Sequence, residues 1–253
     1  MPSPDVPAAL RTLGMRSSPD ALRAMIAELT KTRASAAQCF EDLVALERRE
    51  RDARNLETRT KAATLGAFKP LDRFDWNHPR SIDRPVYEEL LELTFLSRGE
   101  NVLFRGQSGV GKTNLAQALA HAALVKGRTV RFTTLAAVLA DLSRQESVPA
   151  LERRLRRYTR LDLLVLDELG YLPCDGRSAD LLYNIISRRH EQRSTVITTN
   201  LAYKQWGTVF PGAACVGALV DRFAQHCQVI DIDADSWRNK EASERSSSKK
   251  KRS

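Results

Sequence analysis

The sequence predicts an α/β fold: a parallel sheet covered on both faces by helices, preceded by a small all-α module. Three observations carry it. Short β-rich runs alternate with helical segments through the second two thirds of the chain, the pattern of a doubly covered parallel sheet. A glycine-rich turn joins one of those runs to a helix. Residues 64–80 break the composition with glycine, prolines and spaced aromatics, as a linker does.

The elements follow in order. Residues 1–16 hold Pro2, Pro4 and Pro7 with little periodicity and read as frayed chain. Ser18-Pro19 is an N-cap with proline at the first helical position, and Leu22, Met25, Ile26 and Leu29 follow at helical spacing. Ser35 and Gln38 form a capping-box pattern that opens a longer helix to about Lys61. Phe40, Leu43, Val44 and Leu46 are its apolar part, and Glu47/Arg51 and Glu50/Arg54 are i,i+4 pairs on its solvent side. Phe68, Phe74 and Trp76 imply that the linker is pinned to a surface. A helix over about Asp83–Leu96 precedes the apolar runs 101–104, 129–132, 163–167 and 195–199. Helices are expected from 112, around 134–160 and near 177–191, and the tail SERSSSKKKRS reads as disordered.

Composition bounds the function. Of the 253 residues, 42% are hydrophobic and 28% charged, which supports a real core and excludes wholesale disorder. No apolar run spans a bilayer and no signal segment is visible, so a soluble cytoplasmic protein is expected. Cys39, Cys174, Cys215 and Cys227 lack the spacing of a zinc site or disulfide frame. The net charge of +9 concentrates in residues 1–70, 141–160 and 234–253, which suggests a polyanionic partner, nucleic acid first.

The segment Gly106 to Thr113, GQSGVGKT, matches G-x-x-x-x-G-K-[ST] in full, between an apolar strand and a helix. Backbone N–H groups of such a loop surround phosphates, and the helix N-terminus adds a favourable dipole. Lys112 would reach β- and γ-phosphates, and the Thr113 hydroxyl would ligate Mg²⁺. LDLLVLDE places Asp167 and Glu168 at a strand end, Asp167 to hold Mg²⁺ through water and Glu168 to orient or deprotonate an attacking water. A solvated strand end and helix cap is the bland alternative. Asn200, closing TVITTN, could position that water or be a plain turn residue. Arg222 and Arg238 could stabilise transition-state charge or lie on a solvated surface. Arg153, Arg154, Arg156, Arg157 and Arg160 crowd one helix over a stripe of Leu151, Leu155 and Tyr158. That face suits phosphate contacts or simple solvation.

With these motifs in order, the chain resembles the IstB-like family, AAA+ helper ATPases encoded beside the transposase of certain bacterial insertion sequences. The cues are NVLFRGQSGVGKTNLAQALA (101–120), LLVLDELGYLP (164–173), STVITTNLAYKQWGTVF (194–210), ALVDRFAQH (218–226) and DSWR (235–238), with LDRFDW ahead of them. The resemblance covers roughly residues 15–240.

It implies a P-loop AAA+ domain of three α/β/α layers with a minimal or absent C-terminal lid. It implies ATP and Mg²⁺ held by Gly106, Gln107, Ser108, Gly109, Val110, Gly111, Lys112, Thr113 and Asn114, with Asp167 and Glu168 as the Walker-B acids. Asn200 corresponds to sensor 1, Arg222 to the finger offered to a neighbouring protomer and Arg238 to sensor 2. The family assembles on DNA with ATP and recruits and stimulates a transposase. The helical insertion at about 134–160 is similar to that of the initiator clade, DnaA and DnaC, where it faces the DNA path.

Asn114 stands where relatives commonly carry His, and DSWR replaces DSYR; both leave the ATPase implication intact. The expected organisation is a helical module over 1–63 for DNA or partner binding, a linker over 64–82 near the nucleotide pocket, the ATPase domain over 83–240 and a basic tail over 241–253. The partners implied are DNA, contacted largely through its phosphates, a cognate transposase and further copies of the chain on DNA, with no membrane. A DnaC-like replicative helicase loader is the alternative. A small-metabolite kinase lacks a visible acceptor lid, and a non-hydrolysing scaffold does not explain Asp167 and Glu168.

Overall fold

The computed structural model describes residues 5–67, 69–171 and 175–237. Phe68, Cys174, Arg238, any lid after it and the tail over 241–253 lie outside the described residues. The chain divides into two compact units, Met1–Arg59 and Thr60–Ser253.

The first unit is helical: α1 (Val6–Thr12), α2 (Pro19–Thr32) and most of α3 (Ala36–Ala63). The first helix corrects the reading of frayed chain over 1–16, because Pro7 lies in its first turn, where no intrahelical N–H is required. Ser18 caps α2 as expected, accepting from the Ala21 N–H at 3.2 Å. Ser35 accepts from the Gln38 N–H at 3.3 Å, but the Gln38 side chain turns to Asp42 at 2.9 Å, so the reciprocal half of the capping box is replaced. Glu47 is also misplaced by the sequence. It is buried, 7% exposed, and its Oε2 accepts from the Ser17 hydroxyl at 2.6 Å and from the Ser17 and Arg16 N–H groups at 2.8 and 3.0 Å. Phe40, assigned to the apolar face, is instead 70% exposed.

The second unit is built on a six-stranded sheet. Its strands are β1 (Ser81–Ile82), β2 (Asn101–Gly106), β3 (Val130–Thr134), β4 (Leu163–Leu169), β5 (Ser194–Thr199) and β6 (Cys227–Asp233), in the order β1-β6-β2-β5-β4-β3. All neighbours pair in parallel except β1 with β6. Central strands are sealed on both faces: Val102, Leu103, Phe104, Leu164, Val165, Val196 and Ile197 have no exposed surface. That explains why their sequences are continuous apolar runs rather than alternating ones.

Helices α4 (Arg84–Leu91) and α6 (Lys112–Val125) pack together on one face, where the Tyr87 hydroxyl donates to Leu115 O at 3.0 Å. Helices α7 (Leu135–Ser143), α8 (Val148–Thr159), α9 (Gly176–Arg189), α10 (Trp206–Val209) and α11 (Val216–Ala224) share a core with Leu103, Leu164, Leu166 and Ile197 on the other. The single helix expected over 83–96 is two: Leu93 takes a left-handed φ of +63°, and α5 (Thr94–Arg98) starts anew. Strand β6 is an element the sequence reading lacked.

The base of the sheet is tied by one buried cation. Arg189, 1% exposed at the end of α9, donates to Tyr158 O at 2.8 Å, Leu161 O at 2.9 Å and Thr195 Oγ1 at 3.0 Å, and also to Ser194 O. The fork thus joins the end of α8 to the residues at the starts of β4 and β5, giving their carbonyls a buried donor. Among the described residues no helix is long and apolar enough to cross a membrane.

Candidate nucleotide site

The loop Gly106–Gly111 leaves β2 and enters α6 at Lys112. Gly109 and Gly111 hold left-handed φ values of +82° and +97°, conformations through which successive N–H groups form an anion-binding concavity. The loop is also crowded. A Cβ at Gly109 would lie 2.3 Å from Ser236 Oγ, and one at Gly111 would lie 2.8 Å from the Phe74 ring. Lys112 is 5% exposed, and its Nζ donates to Gly106 O at 2.8 Å and Gln107 O at 2.6 Å. An ammonium buried on the carbonyls of its own loop fits a site that receives phosphate.

Across from it, β4 delivers the acids. Thr113 Oγ1 lies 3.1 and 3.2 Å from the two carboxylate oxygens of Asp167, which is 4% exposed. A hydroxyl beside a carboxylate is the oxygen donor set a hard divalent cation takes, so these two residues fit Mg²⁺. The register between β4 and β5 slips between Leu166 and Leu169, and Glu168 sits in that irregularity with a left-handed φ of +66°. The slip turns Glu168 out of the alternation, exposed and lining the same pocket as Lys112 and Thr113.

That pocket has a volume of about 430 Å³, and the segment before the sheet forms one wall through Ala67, Lys69, Arg73, Phe74, Asp75 and His78. Aromatic packing holds the segment in place: Phe74 on Trp76 at 4.8 Å, Trp76 on Tyr87 at 5.6 Å and Tyr87 on Phe104 of β2 at 6.1 Å. The chain after β6 closes another side. His78 Nε2 lies 2.8 Å from Asp235 O, Arg80 pairs with Asp235 at 2.5 Å, and the Trp237 ring stands edge-on to His78 at 4.7 Å.

The remaining candidates are more dispersed. Gly106, Gln107, Asn200 and Arg222 are not among the residues lining the pocket, and Asp167 sits just behind its wall, bonded to the lining residues Thr113 and Thr198. Asn200 is exposed just past β5, its side-chain oxygen 3.4 Å from where a Cβ at Gly170 would be. Arg222 on α11 lies with its guanidinium 5.5 Å above the Tyr183 ring. Arg153, Arg156, Arg157 and Arg160 are exposed on and just past α8, over Leu155 and Tyr158, which are buried as the periodicity predicts. Arg154 differs from them: it pairs with Asp141 of α7 at 2.8 Å, and the Tyr158 hydroxyl donates to the same carboxylate at 2.6 Å. Thr198 on β5 was missed by sequence reasoning. It lines the pocket and bonds both acids, and the only signal was a polar residue in a strand otherwise fit for the core.

The profile of the family described as IstB-like ATP binding protein matches residues 8–245. A protein named as an ATP-binding protein of insertion sequence IS232, from Bacillus thuringiensis subsp. berliner, is 38% identical over 204 residues, 79% of this chain and 82% of its own. One named for insertion sequence IS21, from Pseudomonas aeruginosa, is 38% identical over 191 residues, 76% and 72% of the two chains. Among solved structures, the DnaC helicase loader superposes with a TM-score of 0.52 at 21% identity over 69% of this chain and 99% of that one. DnaI gives 0.54 at 19% over 68% and 90%. At such identities the structures establish the fold alone, a mostly parallel sheet between helical layers with a phosphate loop after its first long strand. The profile match, which runs through both units and the whole nucleotide pocket, settles the family: the chain belongs to the IstB-like ATP-binding proteins of insertion sequences.

Proposed function

We propose that this chain hydrolyses ATP with Mg²⁺ in the pocket between α6 and the ends of β4 and β5. We further propose that ATP governs its assembly on DNA, where it recruits a transposase. The observation that carries the reading is one pocket lined by Lys112, Thr113 and Glu168, with the buried Asp167 carboxylate against the Thr113 hydroxyl at its wall. Mg²⁺ bound there supplies neutralisation of the charge on the phosphates. Lys112, now on the carbonyls of Gly106 and Gln107, would bind phosphate oxygens, and Thr113 and Asp167 would hold the ion. Glu168 is the one acid of the pair turned into open space, and it takes the proton of the attacking water.

Arg222 stands outside its own pocket on a helix beside the core, which supports a role in the site of a neighbouring copy. The exposed arginines of α8 support a phosphate-backbone contact with DNA of low sequence preference. The insertion-sequence names of the relatives favour transposition over helicase loading, since the DnaC and DnaI likenesses carry the fold alone.

The test is ATP hydrolysis and particle size, each with and without duplex DNA, for the native chain and Glu168→Gln. DNA-stimulated turnover in the native chain, with large ATP-dependent complexes of the Gln variant on DNA, is the expected result. Hydrolysis indifferent to DNA, with no assembly, overturns the DNA role.

A further inference from the structure

Thr198 is the penultimate residue of β5 and is fully buried. Its hydroxyl accepts from the Glu168 N–H at 3.0 Å and donates to Asp167 Oδ1. The direction of both bonds is fixed by chemistry. An amide N–H only donates, so the hydroxyl uses a lone pair there and keeps its single proton for the carboxylate. One side chain on a neighbouring strand therefore bonds two consecutive residues of β4, one through its carboxylate and one through its backbone.

We infer that Thr198 is a positioning residue that sets both acids of the site at once, orienting the Asp167 carboxylate for Mg²⁺ and holding Glu168 turned into the pocket. The inference rests on the ATP and Mg²⁺ reading above. The terminal torsion of an aspartate is broad and two-fold, so a carboxylate held from one side swings. Here Thr113 on α6 and Thr198 on β5 hold it from two sides, and the plane that faces the cation is defined by both. Glu168 has a left-handed backbone that non-glycine residues adopt at a cost, and it persists only where neighbours hold it. The Thr198 bond to its N–H is such a hold, placed inside the slip of register between Leu166 and Leu169. Valine has the shape of threonine without the hydroxyl, and serine keeps the hydroxyl without the methyl. The two substitutions therefore separate hydrogen bonding from packing.

The experiment uses the full chain, native and as Thr198→Val and Thr198→Ser, with an N-methylanthraniloyl-ATP probe titrated at rising Mg²⁺. The Mg²⁺ concentration at half effect is expected to rise roughly tenfold in Thr198→Val, the usual cost of losing a partner behind a metal ligand, and to return in Thr198→Ser. Steady-state hydrolysis at saturating Mg²⁺ is expected to lose kcat roughly tenfold or more in the Val variant with KM little changed, and to recover in the Ser variant. A Val variant whose Mg²⁺ midpoint matches the native chain overturns the inference. So does a Ser variant as impaired as the Val variant, because the methyl would then be what matters. If the Val chain fails to melt cooperatively, Thr198→Ala replaces it with the same reading. A native chain that binds the probe with Mg²⁺ but does not turn over ATP sinks the hydrolytic reading, while the Mg²⁺ midpoints still decide the role of Thr198.

Discussion

The backbone N–H of Trp237 donates to the carbonyl oxygen of Gly109 at 3.0 Å, so the chain leaving β6 is bonded directly to the phosphate loop. Ser236 fills the space beside the same glycine, where a Cβ would come within 2.3 Å of its hydroxyl. The indole therefore stands in the pocket wall, against His78, where an entering phosphate would meet its surroundings. Adding ATP is expected to shift the intrinsic emission of the protein, and Trp237→Phe is expected to abolish that shift while Trp76 and Trp206 still emit. A shift that survives in Trp237→Phe removes the assignment.

The arginines of α8 divide by partner. Arg153, Arg156 and Arg157 point to solvent, whereas Arg154 is engaged with Asp141. Replacing the first three together by Gln is expected to lower DNA affinity and make it less salt-dependent, by roughly one unit of the logarithmic slope for each phosphate no longer neutralised. Arg154→Ala is expected to leave that slope unchanged and to lower stability by about 1 kcal/mol, the scale of a partly exposed ion pair. Fluorescence anisotropy on labelled duplex at several salt concentrations, beside urea melts, separates the two.

Arg189 presents the opposite case, a charge with no route to solvent. Its guanidinium serves the carbonyls of Tyr158, Leu161 and Ser194, and shortening it removes a buried donor from each. Arg189→Ala is expected to destabilise the chain by about 3–5 kcal/mol, and Arg189→Lys to recover little of it, because an ammonium lacks the planar fork. Denaturant midpoints of the three chains give the comparison. A lysine variant as stable as the native chain would show that charge, not geometry, is what this position needs.

In the helical unit the Ser17 hydroxyl is the main cause of a Glu47 carboxyl held near about 2 instead of 4.5. Burial opposes it, and the Arg16 and Ser17 N–H groups and Arg51 add to it. A depressed acid contributes stability that is fully present above 4.5 and is lost as the pH falls through about 2. The denaturant midpoint is expected to drop across that window, and Glu47→Gln is expected to flatten the drop while lowering the midpoint at neutral pH. A parallel acid profile in the variant would assign the loss to other carboxylates.

The parts of this fold that were readable are those where one force decides. Strands β2, β4 and β5 are buried on both faces through their middles, so their sequences centre on apolar runs, and GQSGVGKT joins two of the elements it implies. Strand β6 escaped because it alternates, with Ile230 and Ile232 inward and Asp231 and Asp233 exposed, and its acids look like loop residues until a neighbouring strand is known. One of them, Asp231, pairs with Arg105 of β2 at 2.5 and 2.6 Å, a match between residues 126 positions apart that no local window holds. Thr198 escaped for a similar reason: its partners are on β4, and only the register of the sheet brings them together. Glu47 was read as a solvent pair because Arg51 lies one turn away, while Ser17, which buries it, is thirty positions back.

Because β6 lies between β1 and β2, the sheet receives one of its interior strands after the five other described strands have been synthesised. A nascent chain that has left the ribosome only as far as Ala224 carries the whole of GQSGVGKT, yet β2 has an open edge along Asn101–Gly106 and Ser236 is not yet present beside Gly109. The nucleotide pocket is therefore finished only when residues 227–237 emerge. A fragment cut before Cys227 keeps GQSGVGKT, Asp167 and Glu168 and loses the wall that closes them, and its unpaired β2 edge is a template for joining another chain.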